Sequence, residues 1–212
     1  MRRRKCGKNQ REEYAHAAII ATAASYNTLM LPATLRTLVL ATLPVACFAQ
    51  LVPESFQVPK TYATNTYKLA PLGPGLEKQD YDAYMSSIDH LRATFSGGGW
   101  PHAGITMEDA LKDVQGEKAR FDARHSFTYA VLSPDGAKEL GCLYIKPSPK
   151  QGYDATATIW VTKAMYDAGF EATLVKDMKA WLRKEWPFQK VAWPKREIAA
   201  EDWKKLPDKP KK

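Results

Sequence analysis

The sequence predicts one α/β domain between about residues 67 and 193, with additional chain at both ends. Apolar residues recur at helical spacing in three segments and alternate with polar residues at strand spacing in others. Clusters of Gly and Pro separate these segments. Hydrophobic residues make up 45% of the 212 residues, which is enough for a packed core. The predicted order is strand, helix, helix, hairpin, strand, helix, strand.

The first half of the domain contains the predicted first strand and two helices. Residues 67–72 form a short strand that ends at a Gly-Pro-Gly turn. Apolar residues at helical spacing over 81–95 predict one amphipathic helix, which a run of three glycines ends. A second helix starts near Thr106, because Asp109 three residues later completes a capping-box pattern.

The second half changes to strand spacing. Alternation over 127–131 and 140–145, on either side of a Ser-Pro-Asp-Gly turn, predicts a β-hairpin. Residues 154–161 alternate cleanly and form a third strand. A nine-residue connector leads to a helix, 190–193 form a brief last strand, and 198–203 add a helical turn. The apolar stripe of the long helix comprises Leu174, Val175, Met178, Trp181 and Leu182.

The net charge of +8 lies mainly in the two ends of the chain. Residues 1–50 carry seven Lys/Arg against two Asp/Glu, and residues 201–212 carry five against three, which leaves about +1 for 51–200. A nucleic-acid-binding domain needs a basic patch on its folded part. We therefore predict no nucleic-acid partner. Residues 51–66 are predicted to be an extended lead-in, 67–203 the whole domain, and 204–212 a basic Pro/Lys tail.

Residues 1–50 form a leader that we place outside the predicted fold. Within it, segment 30–49 resembles a secretory signal, with a basic start, an apolar run and a small final residue. This run is too short to span a bilayer as a stable helix, so we predict no stable membrane insertion. Alternatively, Met30 is the true start, or the leader is an over-extended reading of the gene. The protein is predicted to be secreted or periplasmic if the signal is real.

Other site types find no support in the sequence. The three cysteines are scattered without a paired spacing, which predicts neither a disulfide framework nor a zinc site. Cys142 is most simply a small buried strand residue. The sequence lacks Gly-x-Ser-x-Gly and a phosphate-binding Gly-Lys-Ser/Thr loop, so serine hydrolase and P-loop functions are excluded.

The order of elements, with the residues in them, resembles the GNAT superfamily of N-acetyltransferases. The resemblance covers about 130 residues in chain order. It implies a mixed sheet in a three-layer α/β/α arrangement, and transfer of an acyl group from acetyl-CoA to a small-molecule or peptide amine by direct attack. The segments that carry it are Tyr-Lys-Leu-Ala-Pro-Leu at 67–72, Trp-Pro at 100–101, Ile-Thr-Met-Glu-Asp-Ala at 105–110, Glu-Leu-Gly-Cys-Leu-Tyr-Ile-Lys-Pro at 139–147, and Ala-Thr-Ile-Trp-Val at 157–161.

The resemblance also implies where acyl-CoA would bind. In the family, the strand that matches 154–161 splays from its neighbour, and the pantetheine arm lies in the gap, paired with the strand backbone. The following loop presents amide groups at a helix start, where they hold the pyrophosphate. No other cofactor is implied, and the acetyl-CoA requirement would place the protein in the cytoplasm. The implied cofactor-binding residues are Trp160, Val161, Thr162, Lys163, Ala168, Gly169 and Phe170.

The connector loop departs from the family pattern. That pattern is Gln or Arg, two residues, Gly, one residue, then Gly or Ala. With its first glycine aligned on Gly169, Tyr166 stands in place of Gln or Arg, and Glu171 replaces the second small residue. An acid there would repel a pyrophosphate. The alternative function is therefore a non-catalytic GNAT-fold protein that binds a ligand or partner.

Three residues are candidates for acid–base catalysis. Asp154 is a candidate for binding or deprotonating the amine, His125 is a candidate base, and Tyr144 is a candidate donor to the leaving thiolate. Two of them have a structural alternative: Asp154 as a cap of the preceding turn, and Tyr144 as a core aromatic residue of a strand. Similarly, Lys163 is alternatively a solvated loop residue and Trp160 a core residue.

Overall fold

A computed structural model describes residues 50–95 and 98–210. The signal-like segment 30–49 lies outside the described residues. Within the described chain, no helix is long and apolar enough to cross a membrane.

The centre of the structure is one six-stranded sheet whose strands follow chain order. The first four pairings are antiparallel and the last is parallel. The lead-in predicted to be merely extended contributes the short edge strand β1. The strands are β1 Tyr62–Ala63, β2 Lys68–Pro71, β3 Phe127–Leu132, β4 Glu139–Pro147, β5 Ala155–Val161 and β6 Val191–Ala192.

Six helices accompany the sheet in the described chain. The predicted capping box is confirmed, because Thr106 and Asp109 exchange both hydrogen bonds. The prediction of one helix over 81–95 is wrong. Two helices occupy this stretch, and the Ser86 hydroxyl between them donates to the carbonyl of Ala83. The helices are α1 Glu77–Met85, α2 Ile88–Phe95, α3 Met107–Asp122, α4 Lys163–Asp167, α5 Phe170–Glu185 and α6 Ala200–Lys205.

Each face of the sheet carries its own apolar core. The α5 stripe packs against one face, where Ala155, Ala157, Ile159 and Val161 of β5 point. Helices α1, α2 and α3 cover the other face, which Cys142 and Trp160 join. The predicted alternation of β5 and the buried strand position of Cys142 are confirmed. The three-layer α/β/α arrangement predicted from the sequence is therefore confirmed as well.

Strands β5 and β6 separate almost as soon as they have paired. Only Ala155 and Thr156 of β5 pair with β6, whereas β4 pairs with β5 as far as Val161. Beyond Thr156, no other strand of the described chain adds to the outer edge of β5. A gap therefore opens between the second half of β5 and the residues that follow β6.

Candidate functional site

A cavity of about 300 Å³ lies in this gap, and we call it the β5 groove. Thr158 and Ile159 form its strand side, and the segment 194–196 lies opposite them. Its ionisable lining residues are His90, Tyr166, Glu171, Lys195 and Arg196. An extended ligand in the groove can pair with the strand edge and meet cationic side chains at the same time.

Glu171, which stands where the family's loop pattern has its second small residue, is neutralised by Arg196. The Glu171 carboxylate lies in the first turn of α5 and is only 9% exposed. Arg196 Nη1 donates to Glu171 Oε2 at 2.8 Å, and Nη2 donates to Oε1. This two-pronged geometry is the strongest form of an arginine–carboxylate pair. The predicted negative charge is thus present, but it is paired with a cation from the segment after β6.

Lys195 is held in an unusual backbone conformation next to Arg196. Its φ of 64° lies in the left-handed region, which residues with a side chain seldom adopt. Its ammonium donates to the carbonyl oxygen of Thr94 at 2.9 Å, close to the end of α2. Two cationic side chains therefore flank the β5 groove, and the sequence analysis missed both. The signal available was the Pro-Lys-Arg run straight after the last strand.

The loop predicted to hold pyrophosphate already uses most of its backbone donors. Six amides between residues 162 and 169 have partners within the protein. A phosphate bound here must therefore meet other donors, such as the first turn of α5 or the cations from segment 194–196. The six donors and their acceptors are Thr162 to Leu140 O, Lys163 to Ser87 Oγ, Met165 to Thr162 Oγ1, Tyr166 to Thr162 O, Ala168 to Ala164 O and Gly169 to Tyr166 O.

The loop residues themselves have clear local roles. Gly169 is the N-cap of α5 with a φ of 74°, a conformation that favours glycine. No atom lies within 4 Å of where a Cβ would stand, so the backbone angle, and not crowding, requires the glycine. Lys163 Nζ pairs with Asp167 Oδ1 at 2.5 Å on the surface. The side chain of Phe170 packs edge-on against Tyr67.

Trp160 and Val161 are fully buried in the two cores of the sheet. The indole nitrogen of Trp160 donates to Tyr144 Oη at 3.2 Å. This burial agrees with the alternative interpretation of Trp160 as a core residue. Contact of either side chain with a cofactor stays a prediction.

The three predicted acid–base residues are not brought together. Asp154 Oδ2 accepts backbone hydrogen bonds from Gln189 at 2.7 Å and Lys190 at 2.8 Å. It therefore caps the turn before β6, instead of the turn at 151–152 that precedes it. His125 lies between α3 and β3, and neither residue lines the β5 groove. Burial raises the pKa of Tyr144 well above its usual value, so this phenol stays protonated.

A second cavity, of about 480 Å³, opens on the face covered by α1 and α3. We call it the acidic cavity, after the carboxyl groups of Asp80, Asp113 and Glu117 in its wall. Tyr84, Trp100 and Tyr144 supply aromatic surface, and Lys146 is its basic lining residue. The acidic cavity shares Phe95 and Thr158 with the β5 groove. The two spaces therefore adjoin at the middle of β5.

The carboxyl groups of the acidic cavity differ in their surroundings. Burial raises the pKa of Asp80 to about 7, and the neighbouring carboxyls of Asp113 and Glu117 add to the rise. Burial, followed by the charge of Asp80, raises the pKa of Glu139 well above its usual value. Glu139 is buried beside the cavity and does not line it, and neither of its carboxyl oxygens has a hydrogen-bond partner among the described residues. Glu117 is already satisfied, by Arg120 at 2.7 Å and the Thr128 hydroxyl at 2.5 Å.

Sequence reasoning did not find the acidic cavity. Asp113 shares a helix face with Asp109 and Glu117, and a face with several acids usually points to solvent. The acids of α1 and α3 face the same cavity because of how the two helices pack against each other. The residue pattern of a single helix carries no information about that packing.

The strand order, the helices on both faces and the early separation of β5 from β6 are the features that the resemblance implies. The prediction of a GNAT-like fold is therefore confirmed.

No protein-family model and no curated protein sequence matches the chain. Similar solved structures include a protein described as a GNAT-family acetyltransferase from Bordetella pertussis, at 15% identity and a TM-score of 0.48, over 64% of this chain and 78% of that one. A ribosomal-protein-S5-alanine acetyltransferase from Vibrio fischeri has 13% identity and a TM-score of 0.48, over 58% and 67%. The ribosomal L7/L12 α-N-protein acetyltransferase RimL, in complex with coenzyme A, has 16% identity and a TM-score of 0.46, over 58% and 67%.

Proposed function

We propose that this protein is an N-acyltransferase that uses acyl-CoA, with acetyl-CoA as the simplest donor, and acts on an amine. The observation that carries the proposal is the junction of two cavities at Thr158. One follows a free strand edge and contains two cations, and the other contains carboxyl groups. The first suits an anionic, amide-containing donor such as acyl-CoA, and the second suits an amine.

The chemistry needs few groups from the protein. Acyl-CoA supplies a thioester, and the substrate ammonium first loses one proton to solvent. The neutral amine nitrogen then replaces sulfur on the acyl carbon, and the second proton that the nitrogen loses ends on the released thiol. Tyr144 lines the acidic cavity and is protonated at neutral pH, which suits it to donate to the leaving sulfur. The role first predicted for Tyr144 is thus part of this proposal, whereas Asp154 already serves as a turn cap.

A CoA phosphate would bind in the β5 groove by replacing Glu171 as the partner of Arg196. Arg196 is bound to Glu171, so a phosphate must compete with that carboxylate for the guanidinium. We expect binding of CoA to draw Arg196 away from Glu171, or to share it. This arrangement replaces the glycine-rich loop of the family with side-chain cations. It also implies that Glu171 lowers the affinity for CoA.

Calorimetric titration of the full chain with free CoA and acetyl-CoA tests this proposal. Glu171→Gln should tighten CoA binding severalfold, because Arg196 loses its competing anion. Arg196→Gln should weaken binding by roughly ten- to a hundredfold, the worth of one charge-assisted hydrogen bond. Glu197→Gln is the matched control, because Glu197 pairs with Lys179 at 2.6 Å and lies outside the β5 groove.

Two results would contradict the proposal. One is the absence of CoA binding by the parent protein at millimolar ligand. The other is an equal effect of Glu197→Gln and Glu171→Gln. The first result would leave a protein of GNAT-like fold that binds a different ligand or partner without catalysis, and the second would show that CoA does not compete with Glu171 for Arg196. Because acyl-CoA is an intracellular metabolite, the proposal also favours a cytoplasmic location, which N-terminal sequencing of the mature protein would test.

A further inference from the structure

We propose that the acidic cavity binds the acceptor, and that the acceptor is a small linear diamine rather than an amine with a single charge. This inference rests on the proposed function, because it names the substrate class of the same site. It is carried by the placement of the carboxyl groups, by an unpartnered buried hydroxyl, and by the position of the cavity relative to β5.

Two facing helices supply the polar wall in matching pairs. Asp80 and Tyr84 lie four residues apart on α1, and Asp113 and Glu117 lie four residues apart on α3. Residues at this spacing share one face of a helix. All four line the acidic cavity. The cavity therefore presents two separate polar patches, one from each helix.

The hydroxyl of Tyr84 is the clearest sign of a missing partner. Tyr84 is 1% exposed, and its Oη has no hydrogen-bond partner among the described residues. A buried polar group without a partner is costly, and most buried polar groups in proteins are hydrogen-bonded. An ammonium in the cavity would donate to this oxygen. The rings of Tyr84 and Trp100, whose centroids lie 5.3 Å apart, would shield the same ammonium from water and attract it.

The wall offers two separate places for a positive group, because Asp80 lies on α1 and Asp113 lies on α3. Glu117 is balanced by Arg120, and Lys146 lies on the cavity wall. Asp80 supplies one acceptor, on the same helix face as Tyr84. Asp113 supplies the other at the exposed rim of the cavity, where partial desolvation and the charge of Glu117 raise its pKa. A second cation beside Asp113 and Glu117 would relieve this repulsion between like charges.

The size and position of the acidic cavity limit the ligands that it can bind. A cavity of about 480 Å³ accommodates a small organic ligand. Because the cavity adjoins the β5 groove at Thr158, an amine held in the cavity lies next to the groove proposed for the acyl donor. An amine of this kind needs no macromolecular docking surface, since its two charges and its chain are held within one cavity.

Calorimetric titration of the full chain with 1,4-diaminobutane, and with 1-butylamine as a single-charge probe of equal chain length, tests the inference in the absence of CoA. The diamine should bind at least tenfold more tightly than butylamine at pH 7.5. Asp113→Asn should abolish most of this difference. Tyr84→Phe should weaken binding of both amines and should leave the fold intact, because it removes only the unpartnered oxygen.

Asp122→Asn is the matched control, because Asp122 stands on the same helix and pairs with Lys118 outside the acidic cavity. Equal binding of the two amines, or an equal loss in Asp122→Asn and Asp113→Asn, would overturn the inference. These outcomes are separate from failure of the proposed function. Diamine binding without CoA binding would overturn the acyltransferase alone, and CoA binding without a preference for the diamine would overturn the acceptor class alone.

Discussion

Asp80 makes the stability of the protein depend on pH. Its pKa is raised from 3.8 to about 7 in the folded chain, so between these values the folded state binds a proton that the unfolded state has released. The stabilisation is fully present below about pH 4 and is lost as pH rises through about 7. We expect the free energy of unfolding to fall over this range.

Asp80→Asn should reduce the fall in the free energy of unfolding between low and high pH, because an amide stays neutral. Urea denaturation at pH 5 and pH 8 measures the free energy of unfolding of both proteins. Asp82→Asn is the control on the same helix, where Asp82 is exposed and pairs with Lys78. If the parent protein is equally stable at both pH values, or if Asp80→Asn keeps the full dependence, the burial assigned to Asp80 is wrong.

At the level of single residues, only part of the candidate site was accessible from the sequence. Gly169 and Glu171 stood out because they could be compared with a short local pattern. The partner of Glu171 is 25 residues away in sequence, at Arg196, and no local spacing connects them. Asp154 was predicted as the first residue of a strand, but β5 begins at Ala155, and the hydrogen-bond partners of the Asp154 carboxylate lie beyond α5.

Among the helices, α5 contributes the most buried apolar residues to the core. Four of its five predicted apolar-stripe residues are buried and Val175 is partly buried, which the period of 3.6 residues explains. The break between α1 and α2 and the short helix α4 were not predicted. Serine side chains and a threonine cap decide them, and these compete locally with helical hydrogen bonds.

Trp181→Ala tests the packing of α5. Trp181 is 2% exposed and packs edge-on against Tyr129 and Trp186, each with ring centroids 5.5 Å away. Loss of its side chain should cost about 3–5 kcal/mol, from transfer and cavity terms together. Urea denaturation measures the cost, with Trp203→Ala on α6 as a control that should cost less because that side chain is partly exposed. A cost below about 1 kcal/mol for Trp181→Ala would mean that the α5 stripe faces solvent.

At the scale of the whole molecule, the order of elements carried most of the predictive power. Periodicity predicted most of the strands and helices, and the resemblance that their order carries implied the three-layer fold. The cavities were not predictable in this way, because each is formed by several elements distant in sequence. The lead-in, predicted to be merely extended, packs Val52, Phe56 and Tyr62 against the core that contains the α5 stripe.

The boundary of the fold can be tested by removing chain from the start. Residues 51–212 should melt cooperatively and at nearly the same temperature as the full chain. This piece keeps the contacts at its start, because the Leu51 amide donates to the carbonyl of Arg124 at 2.7 Å and Val52 is buried.

Residues 67–212 should be much less stable, because this piece lacks β1 and the rings of Phe56 and Tyr62. Those rings lie 5.5 Å from Trp186 and 5.6 Å from Trp181, respectively. Differential scanning calorimetry of the three chains measures both differences. If the longer piece loses its cooperative transition, residues before 51 belong to the fold, and if the shorter piece melts like the full chain, the lead-in does not.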